Sequence, residues 1–223
     1  MKRPVVDYRK LRLKNICQPQ YRHLILLLGW VVYLLLFYYT ERWIPAQLCK
    51  AVWMPLDDRI PFVEEFLIPY VFWYVLIVFS LSYFLLYDIT SFRGLQIYFM
   101  VAQLVAVIIY IIYPTRQDLR PEMFANDNFL TRGVALLYRV DTNTGVCPSL
   151  HCALSFGIAS AWLKAKDVWR WWKVFVVFAA VMICASTWFI KQHSVVDFLA
   201  ALPVGLLAEV VAFGKYWLTR FRK

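Results

Sequence analysis

Between His23 and Phe213 the chain reads as long apolar runs separated by short polar joints. About 20 consecutive apolar residues is the length a helix needs to cross a bilayer. In lipid every backbone N–H and C=O needs a partner inside the structure, so only helices or closed barrels span. The runs here are continuous rather than alternating, which selects helices. Six spans are expected: His23–Thr40, Phe66–Tyr87, Gly94–Tyr113, Pro148–Leu163, Val174–Ile190 and Ser194–Phe213. The fourth is short. Pro69 and Pro148 fall in first turns, where a missing N–H is tolerated. Pro114 ends the third run, and Pro203 marks an expected kink in the sixth. Composition agrees: the chain is 62% hydrophobic, against roughly 45–50% apolar in a soluble domain.

The expected architecture is therefore one all-α membrane bundle, residues 23–213, between a basic N-terminus, 1–22, and a basic tail, 214–223. The first run lacks a small-residue cleavage site and is read as a retained span. With six passes both termini share a side. That side, with the Arg93 turn and the Lys164–Lys173 turn, holds 16 of the 24 Lys and Arg. The positive-inside rule then puts the termini in the cytoplasm and the 114–147 and 190–193 loops outside. The same rule accounts for the net charge of +10 without a nucleic-acid partner. Trp169, Trp171 and Trp172 are expected at interface depth. Asn128–Arg139 carries Phe129, Leu130, Val134, Leu137 and Tyr138 at helical spacing, as an amphipathic helix on the membrane surface would. Of the five Cys, Cys184 reads as core packing, while Cys49 and Cys147 lie on one expected side and form a candidate pair.

Polar residues with chemical potential gather on the expected outer face. The joint between the fifth and sixth spans reads Ser186-Thr-Trp-Phe-Ile-Lys191-Gln-His193-Ser-Val-Val-Asp197. On a helix starting near Ser194, His193 and Asp197 share a face. A carboxylate that accepts one imidazole N–H fixes the tautomer and makes the other nitrogen more basic, which suits a nucleophile. Lys191 supplies a cation. At the start of the fourth span, Ser149 and His151 sit where free N–H groups attract an oxyanion. Arg120, before Pro121, offers a forked donor that matches phosphate. A nucleophile, its orienting carboxylate, a second imidazole and cations together read as phosphoryl transfer through a phosphohistidine. Protonated His151 would donate to the leaving oxygen and then help activate water or an acceptor alcohol.

These residues resemble the motifs of the type 2 phosphatidic acid phosphatase superfamily, K-x6-R-P, P-S-G-H and S-R-x5-H-x3-D. Arg120-Pro121 matches the end of the first. Pro148-Ser149-Leu150-His151 matches the second except at its glycine, and Ser186, His193 and Asp197 match the third in spacing. The resemblance covers about residues 94–213. It implies a six-helix membrane fold without a metal or other cofactor, acting on a membrane phospholipid or lipid phosphate. It implies His193 as nucleophile, Asp197 as its partner and His151 as acid, with Arg120, Ser149 and Ser186 binding phosphate. Tyr113 and Thr187 stand where the family has Lys and Arg, and Lys191 is the candidate replacement for one of them. The P-S-L-H sequence is closer to the inositol phosphorylceramide and sphingomyelin synthases, which transfer a phospho-headgroup to a lipid alcohol. Hydrolysis of a lipid phosphate at the extracytoplasmic face is the leading expectation, because water needs no second pocket. Headgroup transfer is the alternative.

The sequence is also compatible with two other classes. One is a metal site from His151, Cys152, His193 and Asp197; the other is a non-catalytic scaffold or transporter. Taken singly, His151 also reads as a polar residue at a helix start. Arg116, Arg132 and Arg139 read as headgroup or solvent contacts. Glu209 is an acid near the cytoplasmic end of the sixth span, and His23 receives no role.

Overall fold

The computed structural model describes residues 4–221; Lys2, Arg3, Arg222 and Lys223, counted above among the basic ends, lie outside them. Seven α-helices occur among the described residues: α1 Leu28–Trp43, α2 Leu67–Tyr87, α3 Ile89–Ile112, α4 Phe129–Val140, α5 Leu150–Lys164, α6 Arg170–Phe189 and α7 Val195–Phe221. A 3-10 segment, Arg22–Leu27, leads into α1. Five helical segments are long and apolar enough to cross a membrane: Arg22–Trp43, Glu64–Tyr87, Ile89–Ile112, Arg170–Phe189 and Val195–Arg220. The chain is thus an all-helical protein of multi-pass membrane type. Much of the surface is apolar, with Leu35, Val78, Val181 and Leu206 all exposed.

The expected fourth span is the exception. α5 has 15 residues, which gives roughly 22 Å at a 1.5 Å rise, short of the ~30 Å hydrocarbon core. Pro148 lies before the helix rather than in its first turn, and Ser149 is the N-cap. α5 nevertheless runs through the centre of the bundle in the same direction as α2. His151 at its start lies against Tyr70 and Trp73, and Trp162 near its end lies against Phe84 and bonds Ser80. Small residues make this central course possible. An added Cβ on Gly157 would run into the Tyr98 ring, so the glycine lets α5 approach α3. Ala153 and Ala161 are buried on the same helix.

α3 is the spine: Phe92, Leu95, Phe99, Ala102 and Ala106 are fully buried, in one core with residues of α2, α5, α6 and α7. α1 rests on α3 and scarcely touches α2. α7 continues through Pro203.

The loops differ from expectation in order. Lys50–Ala51 pairs in parallel with Thr115–Arg116, joining the first and third polar segments. Arg116 bonds Asp118 and the carbonyls of Ala46 and Cys49, so it clasps the loop rather than meeting headgroups. α4 forms as the apolar spacing requires, capped by Asn128, whose side chain accepts from the Leu130 and Thr131 amides. Part of its apolar stripe faces protein: Val134 is buried with Tyr70 and Ile190, and Leu137 and Tyr138 pack beside them, while Phe129 stays exposed. Arg132 pairs with Asp127 in solvent. Cys49 and Cys147 do not pair; both thiols are free. Cys49 donates to the Pro45 carbonyl instead. Cys184 is buried beside Cys152, as core packing requires.

Candidate functional site

At the end of the bundle where α3 and α6 finish and α5 and α7 begin, the backbone supplies much of the scaffold. The amides of Gln192 and His193 both bond the Thr187 carbonyl, which wraps the end of α6 into a tight turn with Lys191 at φ 54°. The Ser149 amide bonds the Asp197 carbonyl and fastens the start of α5 to α7. These bonds bring His151 and His193, 42 positions apart in sequence, to a ring separation of 5.8 Å.

His193 Nδ1 donates to Asp197 Oδ2 at 3.0 Å, and the Ser194 amide donates to the same oxygen at 3.0 Å. Asp197 is fully buried, with the Cys147 thiol beside its carboxylate. Burial and that carboxylate push the Cys147 thiol up to about 12. Burial opposes the His193 imidazolium, but the Asp197 hydrogen bond and charge outweigh it, and its pKa lies above the ordinary imidazole value. With Nδ1 held by Asp197, Nε2 is left as the nitrogen for chemistry.

His151 is fixed by stacking rather than by a carboxylate. Its ring centroid lies 4.2 Å from those of both Tyr70 and Trp73, and its Nε2 is buried with no hydrogen-bond partner. An unpartnered buried nitrogen is costly unless something else meets it.

The remaining expected residues lie at this end, with their polar atoms engaged elsewhere. Arg120 donates to the carbonyls of Tyr138 and Asp141 and to Gln192 Oε1, and its guanidinium lies over the Tyr138 ring; only Nε is unpartnered. Ser149 accepts from the Cys152 amide, and Ser186 donates to the Ile183 carbonyl. Lys191 is engaged by a loop. Its Nζ donates to the carbonyls of Asp57 and Ile60, 2.8 and 2.5 Å away. The tight turn that carries it aims its stem at the 54–60 loop, and burial there lowers its pKa.

Sequence reasoning missed two carboxylates. Asp57, buried at 2% exposure, accepts from Ser194 Oγ and the Val195 amide, so it caps α7 from a distant loop. Asp141 accepts from Tyr70 Oη at 2.6 Å and from Gln192 Nε2 at 2.9 Å. Neither falls in a recognisable spacing; only their position in loops that fold over the site reveals them.

Beside the imidazoles lies a cavity of about 560 Å³ between α1 and α2. His151, His193, Gln192 and Asp141 line one end, and Leu27 and Leu81 the other. The walls between are aromatic and aliphatic. Among the described residues no cluster of three His, Cys, Asp or Glu is arranged to hold a metal ion, so the His151, Cys152, His193 and Asp197 set does not converge as one. No protein-family model, curated protein or solved structure matches the chain.

Proposed function

We propose that this chain is an integral membrane enzyme that cleaves a lipid phosphoester through a phosphohistidine on His193. The observation that carries the reading is the His193–Asp197 bond facing a second, unpartnered imidazole at the head of an apolar cavity. In this reading α5 is a sixth, short pass of a phosphatidic acid phosphatase type 2 bundle. Termini are then cytoplasmic and the site extracytoplasmic, in keeping with the Lys and Arg bias.

In the first half-reaction the Nε2 lone pair of His193 attacks phosphorus. The bond from phosphorus to the lipid oxygen breaks, and that oxygen takes a proton from His151. Nδ1 stays bonded to Asp197, which steadies the positive ring. In the second, water attacks the phosphohistidine and returns a proton to His151, and the N–P bond electrons go back to Nε2. Rearrangement of Gln192 would free Arg120 donors for the phosphoryl oxygens. A lipid alcohol in place of water makes the enzyme a phosphotransferase. The apolar cavity suits a lipid in either case.

The test is incubation of purified protein with a lipid phosphate and a phospholipid, each labelled at phosphorus, quenched in alkaline detergent and divided between acid and base treatment. Expected is an acid-labile, base-stable label on the protein that disappears in His193→Ala. Released phosphate or phospho-headgroup marks hydrolysis, and a new labelled lipid marks transfer. Wild-type turnover in His193→Ala overturns the proposal.

A further inference from the structure

The charges facing the cavity do not match those expected for a phosphate monoester. Among the described residues no Lys or Arg lines it. The cations near the site are turned away: Lys191 onto loop carbonyls, Arg120 behind Gln192 and the Asp141 carbonyl. Apart from the two imidazoles, the ionisable acid or base that lines it is a carboxylate, Asp141. Its Oδ2 accepts from Tyr70 and Gln192, whereas among the described residues Oδ1 accepts no hydrogen bond. Asp141 also lies within electrostatic reach of Tyr33 and Tyr74, which line the same cavity. Trp30, Phe37 and Trp73 complete an aromatic wall on α1 and α2.

A carboxylate with a free oxygen among aromatic rings is poor surroundings for a dianion and good surroundings for an organic cation. Ring faces attract ammonium groups, most strongly where water is excluded. The opposite charge adds to this. We infer that the lipid taken by this cavity is a zwitterionic phosphodiester. Its phosphate sits at the imidazole pair, its quaternary or primary ammonium at Asp141 and the aromatic wall, and its chain along α1 and α2 toward Leu27 and Leu81. Asp141 is then a specificity-determining residue. The inference rests on the proposed role of His193 only in placing the phosphate.

The test uses the full chain carrying His193→Ala, which removes turnover, in nanodiscs of phosphatidylglycerol, which carry no zwitterionic competitor. The probes are dodecylphosphocholine and dodecyl phosphate, equal in chain and different in head, each below its micelle concentration. Trp30 and Trp73 line the cavity, so intrinsic fluorescence reads binding. Expected is about tenfold tighter binding of dodecylphosphocholine, with the preference lost in Asp141→Asn. In the Asp141-intact chain, tetramethylammonium is expected to displace dodecylphosphocholine, an arm that stands if Asp141→Asn does not fold. Equal or tighter binding of dodecyl phosphate, an unchanged preference in Asp141→Asn, or no displacement by tetramethylammonium each overturns the inference. A labelled phosphoenzyme formed by the His193-intact protein in the absence of any head preference would sink this inference and leave the phosphohistidine standing. A head preference without a phosphoenzyme would do the reverse.

Discussion

The two ends of the bundle use the same residue types to opposite effect. At the end away from the imidazoles, Lys164 and Glu209 form an ion pair at 2.5 Å, with side chains only 9% and 17% exposed. The charged groups there have company. Glu209 also accepts from Ser160 and Trp217, while Lys164 lies against the rings of Phe213, Tyr216 and Trp217. His23 at the same end is met at 2.8 Å by Tyr8, whose hydroxyl also donates to the Leu85 carbonyl. At the other end His151 Nε2 and Arg120 Nε are buried without partners, and Asp141 keeps a free oxygen beside a cavity. Buried groups that satisfy one another hold a fold together. A buried group left unsatisfied beside a cavity, as His151 Nε2 is, marks a candidate ligand site.

The largest effect that separates the ends is expected from His193→Ala. Turnover should fall by about 10⁴-fold, because removing a covalent nucleophile leaves only binding and positioning. The variant should also lose about 1–3 kcal/mol in unfolding, because the buried Asp197 carboxylate keeps the Ser194 amide but loses the imidazole, so turnover is read on the folded fraction. Measuring rate and melting on the same preparation checks both. Asp197→Asn comes next. A loss of about 10³-fold is expected from the wrong tautomer and the lost charge, with a signature in pH. In the proposed mechanism His193 attacks only when unprotonated, so its raised pKa would place the acid limb of the rate profile above the ordinary imidazole range. Without the carboxylate that limb should move to lower pH. A limb that stays in place would detach Asp197 from this role.

The opposite end should respond in stability and not in chemistry. Glu209→Leu leaves a buried ammonium unpaired and is expected to cost about 3 kcal/mol. Lys164→Met added to it should recover most of that loss. The measurement is unfolding in detergent for both singles and the double. Turnover of the folded fraction should stay near wild type. A kinetic defect there would erase the contrast between the two ends.

Which of these features the chain announces follows from the range of the interaction that makes them. Helix positions come from runs of apolar residues, and five of the six expected spans recur with shifts of a few residues at their ends. The His193–Asp197 bond follows from a spacing of four at a helix start. α5 was harder, because a helix buried among other helices needs small residues more than length; Gly157 and Ala161 carried that signal. Asp57, Asp141 and the parallel Lys50–Thr115 pairing join segments more than 50 positions apart. No local pattern marks such contacts. The face of α4 was ambiguous for a related reason: an apolar stripe looks the same whether it meets lipid or Tyr70.

Lys191 gives the smallest of these effects and bears directly on the contrast between the ends. Its charge suggested a phosphate ligand, and its place in the fold gives it a structural task at the chemical end. Its ammonium bonds the carbonyls of Asp57 and Ile60, in the loop from which Asp57 caps α7 just before Asp197. Lys191→Met keeps the stem and removes the donor. Two partly buried carbonyls then lose a charged partner, which is expected to cost about 1–2 kcal/mol in unfolding. The substrate concentration for half-maximal rate should shift less than twofold, since the ammonium faces the loop and not the cavity. A tenfold rise in that concentration at unchanged stability would return Lys191 to the substrate. It would also weaken the case for a cation-seeking cavity, because a mobile lysine would then supply the charge that its walls lack.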